Sequence, residues 1–108
     1  MYILPKSELK LMNEIWKHKT ISTKELWNKM YKKYGYARTT TLTLIRRLYD
    51  RKFINREKQG RYYVLTALIN KDEYQNNFID DIVKNVFEGC EAELMDKLLN
   101  RNCVELKN

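Results

Sequence analysis

The stretch ARTTTLTLIRRLYDRKFINREKQGRYYVL, Ala37–Leu65, decides the fold, because its periodicity changes once, near Phe53. Before that point the spacing predicts a helix from roughly Arg38 to Arg51. At 100° per residue, Thr41, Ile45, Leu48 and Lys52 share one side with Tyr49 and face a core, the lysine extending out to solvent. Thr39, Thr40, Thr43, Arg46, Arg47 and Asp50 point the other way, with Leu42 at the edge. Beyond it, two short β-prone runs, Phe53–Glu57 and Arg61–Leu65, flank Lys58-Gln59-Gly60. A glycine there can supply the positive φ of a tight hairpin, so the pattern predicts a two-stranded ribbon.

The helix opens on residues that disfavour it. Three consecutive threonines lose χ1 freedom against the preceding turn. What they offer in return is chemistry. A threonine hydroxyl meets phosphate oxygens or base edges, and its methyl meets the thymine methyl group. Arginine contacts guanine bidentately or grips a phosphate, and a helix start presents unpaired N–H groups and a positive dipole end. Arg38, Thr39, Thr40, Thr43, Arg46 and Arg47 are therefore the candidate recognition residues. Arg56, Lys58 and Arg61 cluster near the hairpin turn, where a wing approaches the DNA backbone and positions the protein without reading sequence. Of Tyr62 and Tyr63, alternation sends one inward and the other outward.

Two helices precede this stretch. Leu9, Met12, Ile15 and Trp16 fall at helical spacing within Leu4–His18, with Pro5 suited to the first turn and Glu14 among the polar positions. In ISTKELWNKMYKKYG, Ser22 and Glu25 form a capping box, Leu26, Met30, Trp27 and Tyr34 make the buried stripe, and Gly35 ends the helix. Downstream, Tyr74, Phe78, Ile82 and Val86 recur four apart on a helix expected from Lys71 to Glu88, widened by Ile79, Val83 and Phe87. Gly89 breaks it, and a shorter helix resumes through Leu94, Met95, Leu98 and Leu99. Three helices, a hairpin and two helices are the order of a winged helix-turn-helix with a C-terminal helical arm, mainly α with a small β-hairpin. Residues 1–69 are read as the DNA-binding domain and residues 70–108 as a dimerisation region.

Charge divides at nearly the same place. Met1–Leu65 holds 16 basic and 5 acidic residues, whereas Thr66–Asn108 holds 5 and 9. A basic head on an acidic tail suits a polyanion partner. A helix after a wing has little of its own domain left to cover, so the arm's stripe is expected to bury itself against a second copy. Tyr74, Phe78, Ile79, Ile82, Val83, Val86, Phe87, Leu94 and Leu98 are the interface candidates. Cys90 and Cys103 form no CxxC motif and read as small buried hydrophobes of a reduced, cytoplasmic protein. With one histidine, no Gly-rich phosphate loop and no apolar run of membrane length, the sequence argues against catalysis, a cofactor, a metal site or a membrane partner.

SELKLMNEIWKH, the Ala37–Tyr74 stretch and FIDDIVKNVFEG together resemble the penicillinase-repressor family (BlaI/MecI/CopY) of winged-helix regulators, over about Leu4 to Leu99. The most specific part is the order Thr40, Thr43, Arg47, Leu48 followed by the wing. The resemblance implies a homodimeric repressor of palindromic promoter DNA, often with TACA/TGTA half-sites. It also implies, in one branch, a membrane sensor-protease pathway that cleaves the chain near the region corresponding to Leu94–Leu99. Two departures stand out. Leu42 occupies a commonly basic position, and Lys97-Leu98 stands where that branch has an Asn-Phe bond. The family also continues further past the position of Leu99, and the cysteine-rich tail of its copper-sensing branch is missing, so the reading expects a smaller dimer and no metal sensing. The alternatives are a PadR-like regulator, or a winged helix used for protein or RNA contact.

Overall fold

A computed structural model describes residues 3–101. Among them the elements are α1 (Lys6–Lys17), β1 (Ile21–Ser22), α2 (Thr23–Tyr34), α3 (Arg38–Asp50), β2 (Ile54–Gln59), β3 (Tyr62–Ala67), α4 (Lys71–Asn85) and α5 (Glu91–Leu99). The chain forms two compact units, residues 2–71 and residues 72 onward.

In the first unit α1, α2 and α3 pack around Leu11, Met12, Ile15, Leu26, Met30, Leu44, Ile45 and Leu48, closed by Phe53, Ile54 and Leu65 from the sheet side. Leu11 and Leu44 carry more of this core than the spacing suggested, while Leu9 and Trp16 are half-buried at its rim. Trp16 spends its polar edge on a distant carbonyl: Nε1 donates to Ile69 O at 2.9 Å, tying α1 to the segment after β3. The capping signals of α2 hold. Ser22 Oγ accepts from Glu25 N at 3.1 Å, and Gly35 closes the helix at φ 71°.

The sheet has one strand more than the expected ribbon, in the order β1-β3-β2. Ile21 pairs with Leu65 and Ser22 with Val64, antiparallel. Two residues leave no period-2 signature, so this strand is invisible to patterning. The hairpin register also differs from the expected one. Gln59 pairs with Tyr62, so the turn is Gly60-Arg61 and both Lys58 and Gln59 belong to β2. The positive φ, 62°, falls on Gly60, the first central residue of that turn.

The end of α3 needs a further correction. Lys52 is not a helical residue reaching out from the core face; it stands at φ 64°, two residues beyond the last helical position. Lys52 N donates to Tyr49 O at 3.0 Å and Phe53 N to Leu48 O at 3.0 Å, the paired bonds of a Schellman motif. Phe53 and Leu48, both buried, supply the apolar contact that accompanies it.

Two acids of α1 are buried, which the spacing did not anticipate. Glu8 is ion-paired with Arg51 at the C-cap of α3, and Glu14 with Lys33 in the last turn of α2 and with Lys17. Both join α1 to the ends of the other helices. Burial pushes the Glu14 carboxyl up, but Lys33 and Lys17 outweigh it, and the group settles below the usual carboxylate range. The hydrogen bond to Glu14 in turn raises Lys33 above its ordinary value.

In the second unit α4 ends at Asn85, three residues earlier than expected, because Glu88 and Gly89 both take positive φ. Cys90 is exposed at the N-cap of α5, contrary to the buried role expected of it; Cys103 lies outside the described residues. Among the described residues no helix is long and apolar enough to cross a membrane.

Candidate nucleic-acid interface

The turn between α2 and α3 is Gly35-Tyr36-Ala37, short enough to hold the second helix at a fixed angle to the first. Thr41, Leu44, Ile45 and Leu48 anchor α3 on the core, which turns the opposite face outward. Arg38, Thr39, Thr40, Thr43, Arg46 and Arg47 are all exposed; the last five share the outward arc of α3, whereas Arg38, at the helix start, lies to the side, over Trp27 of α2. Ala37, the N-cap, makes no side-chain cap, and the first turn has no acidic residue. The amide donors that open α3 therefore lack an internal anion, leaving this end fit to receive one.

The hydroxyls differ in state. Thr43 Oγ1 donates to Thr39 O at 3.0 Å, which leaves its lone pairs to accept. Thr41, fully buried, has an Oγ1 without a hydrogen-bond partner among the described residues. Arg46 lies 3.9 Å from Asp50 in an exposed pair of little worth. Arg47 is exposed and makes no ion pair among the described residues.

The hairpin residues divide. Arg56 and Lys58 are exposed on β2 and Arg61 in the turn, the first of them packed against α3. The Arg56 guanidinium lies 4.1 Å from the Tyr49 ring centroid and 5.1 Å from that of Tyr63. Tyr49 is thus on the outer surface, 36% exposed, and not in the core where the helical wheel placed it. A cleft of about 330 Å³ opens between α3 and the hairpin, with Leu42, Thr43, Arg46, Arg56 and Tyr63 on its walls.

Three residues of this surface escaped the sequence reading as site residues: Trp27, Tyr49 and Tyr63. Trp27 is only half-buried, and Tyr34 is exposed, so the α2 stripe is narrower than expected. Arg38 lies 4.2 Å from the Trp27 ring centroid. The interleaving of tyrosines with arginines across Tyr49, Arg56 and Tyr63 was the available signal.

Residues 4–108 match the profile described as Penicillinase repressor. The chain belongs to the penicillinase repressor family. The Bacillus licheniformis penicillinase repressor is 34% identical over 68 residues, covering 63% of this chain and 53% of that protein. Against that relative, the chain spans about half the length. The methicillin resistance regulatory protein MecI of Mammaliicoccus sciuri is 26% identical over 99% of this chain and 92% of its own. In solved structures, the Bacillus licheniformis BlaI monomeric form in complex with the blaP half-operator matches with a TM-score of 0.59. It is 32% identical and covers 68% of this chain and 89% of that one. Membership in the penicillinase repressor family sets the PadR-like alternative aside.

Proposed function

We propose that this penicillinase repressor-family chain is a sequence-specific DNA-binding transcriptional repressor that occupies palindromic promoter operators as a homodimer. One observation carries the reading: α3 sends Thr39, Thr40, Thr43, Arg46 and Arg47 to one exposed face, with Arg38 exposed at its start, while its other face is committed to the core. With α3 in the major groove, Thr40, Thr43, Arg46 and Arg47 reach base edges, and Arg38, Thr39 and the uncapped amides meet phosphate. The hairpin, with Arg56, Lys58 and Arg61, lies along the adjacent backbone. The related BlaI is solved in complex with a half-operator, which supports DNA as the partner. Promoter DNA as the ligand puts the protein in the cytoplasm, in a binding role and not a catalytic one.

The second unit supports the homodimer. Phe78 and Ile79 on α4, Val86 just past its end, and Met95, Leu98 and Leu99 on α5 are all at least 37% exposed, more apolar surface than short helices leave to water without a partner. Ile82, Phe87 and Leu94 are partly covered, while Tyr74 and Val83 are already buried within the single chain and so lie beneath the interface. Cleavage in the region Leu94–Leu99, by a sensor-protease pathway, would cut inside α5 and remove part of this surface.

The test is a fluorescence-anisotropy titration, at two salt concentrations, of the palindromic duplex upstream of the protein's own gene and a scrambled duplex. The proposal expects tight, salt-sensitive binding to the palindrome at one dimer per site. Arg47→Ala is expected to weaken that binding by about 1–3 kcal/mol. Equal, weak binding to both duplexes overturns the reading.

A further inference from the structure

Not all the exposed arginines are alike. Arg46 and Arg47 extend from the middle of α3 with no ring beneath them among the described residues, whereas Arg38 and Arg56 each lie on aromatic faces. The two supports are built from different elements. Under Arg38 is Trp27 of α2, 4.2 Å away, and Trp27 is braced edge-on by Tyr62, the residue that leads out of the hairpin turn, ring centroids 5.8 Å apart. Under Arg56 are Tyr49, in the last turn of α3, and Tyr63 of β3. The two aromatic supports thus stand beside the first and last turns of the same helix.

Spacing gives the arrangement a purpose. Arg38 and Tyr49 are eleven residues apart on α3, about 17 Å along the axis at 1.5 Å per residue. A major groove is about 12 Å wide, so a helix seated in it brings its two ends to the two phosphate walls. A guanidinium flattened on a ring keeps its N–H fork free and loses less freedom on meeting a phosphate than one that must first be ordered.

Resting on the DNA-binding reading above, we propose that Trp27 and the Tyr49–Tyr63 pair are positioning residues. They hold Arg38 and Arg56 as fixed clamps for the two phosphate backbones, and leave Arg46 and Arg47 free to adapt to base edges. The aromatic residues touch no DNA themselves; they act through the arginines.

The test uses the full chain, the palindromic duplex and its scramble, with anisotropy measured across a range of salt. Arg38→Ala and Arg56→Ala are each expected to lower the slope of log K against log salt by about 0.9 per protomer, and to weaken palindrome and scramble alike. Trp27→Leu is expected to weaken binding about two- to five-fold per protomer. In the Arg38→Ala background it should do nothing further, and Trp27→Phe should retain most of the affinity. Tyr49→Leu against Arg56→Ala is an independent arm at a ring 36% exposed; circular dichroism checks each variant.

If Trp27→Leu or Tyr49→Leu weakens binding equally with and without its arginine, the ring is merely structural and the proposal fails. It fails too if Arg38→Ala spares the salt slope and instead erases the preference for the palindrome. A wild-type protein that binds neither duplex is a different result, and sinks the DNA-binding reading itself.

Discussion

Replacing Arg51 by methionine removes the cation that faces Glu8 and leaves a carboxylate whose side chain is 1% exposed. Breaking a fully buried pair from one side costs about 3–5 kcal/mol. Arg51 is 35% exposed, so water can enter where its guanidinium stood; that relief brings the expected cost to about 2–4 kcal/mol. A 70-residue unit such as residues 2–71 has about 4–10 kcal/mol in all, so the loss is a large share of it. Urea unfolding followed by tryptophan fluorescence is the appropriate assay, because Trp16 and Trp27 both lie in this unit. The midpoint should fall by about 2 M. The double variant Glu8→Leu, Arg51→Met replaces the pair with apolar volume and should recover to within about 1 kcal/mol of wild type. If the two single changes simply add, Glu8 and Arg51 are not coupled, and the account of how α1 fixes the exit of α3 is wrong.

Three further outcomes are expected. Thr41→Val removes a buried hydroxyl without a partner among the described residues, and should raise the melting temperature by about 4–8 °C, equivalent to about 1 kcal/mol; a lower temperature would mean the hydroxyl is bonded. Lys52→Gly, at φ 64°, should be at least as stable as wild type, and Lys52→Val should fall below the glycine variant by about 2 kcal/mol in urea titration; equal values would contradict the left-handed cap. The third concerns pH. Because the folded carboxyl of Glu14 is depressed, its contribution is present above the usual carboxylate range and lost as pH falls through and below it. The raised Lys33 keeps its share at any pH below the ordinary lysine value. The melting difference between wild type and Glu14→Gln should therefore hold steady from pH 6 to 9, on the order of these limits, and shrink in acid; a difference that grows in acid would reverse the assignment.

What the sequence disclosed, and what it withheld, follows from the range of the signals. Caps are local, and Ser22 with Glu25, and Gly35, were legible at three residues' distance. The exposed face of α3 was legible because six of its residues obey one angular rule. Glu8 and Glu14 were not, since charged residues in a helix ordinarily face water. Arg51 and Lys33, the partners that join them to other helices, lie 43 and 19 residues away, and no periodicity links them. The hairpin register slipped for a related reason. Lys58 and Gln59 have weak strand propensity, and only their pairing with Tyr63 and Tyr62 places them in β2. A wheel treats every aromatic on the apolar side as core, whereas the Tyr49 ring lies at the surface against the Arg56 guanidinium.

These same features explain how α3 can begin with threonines. Thr39, Thr40 and Thr43 together cost the helix about 2 kcal/mol relative to alanine, and the N-cap Ala37 gives no side-chain bond to offset it. Leu44, Ile45 and Leu48 are each nearly or fully buried, and their burial contributes about 1.5–3 kcal/mol apiece. The far end is fixed twice over, by the Schellman bonds through Lys52 and Phe53 and by Glu8 on Arg51. Core and C-terminus therefore hold the helix, and its exposed N-terminal face is released from helix propensity. Residues there can be chosen for what they touch: hydroxyls, methyls and guanidinium groups. The free amides of the first turn, a liability in an isolated helix, become donors for a phosphate.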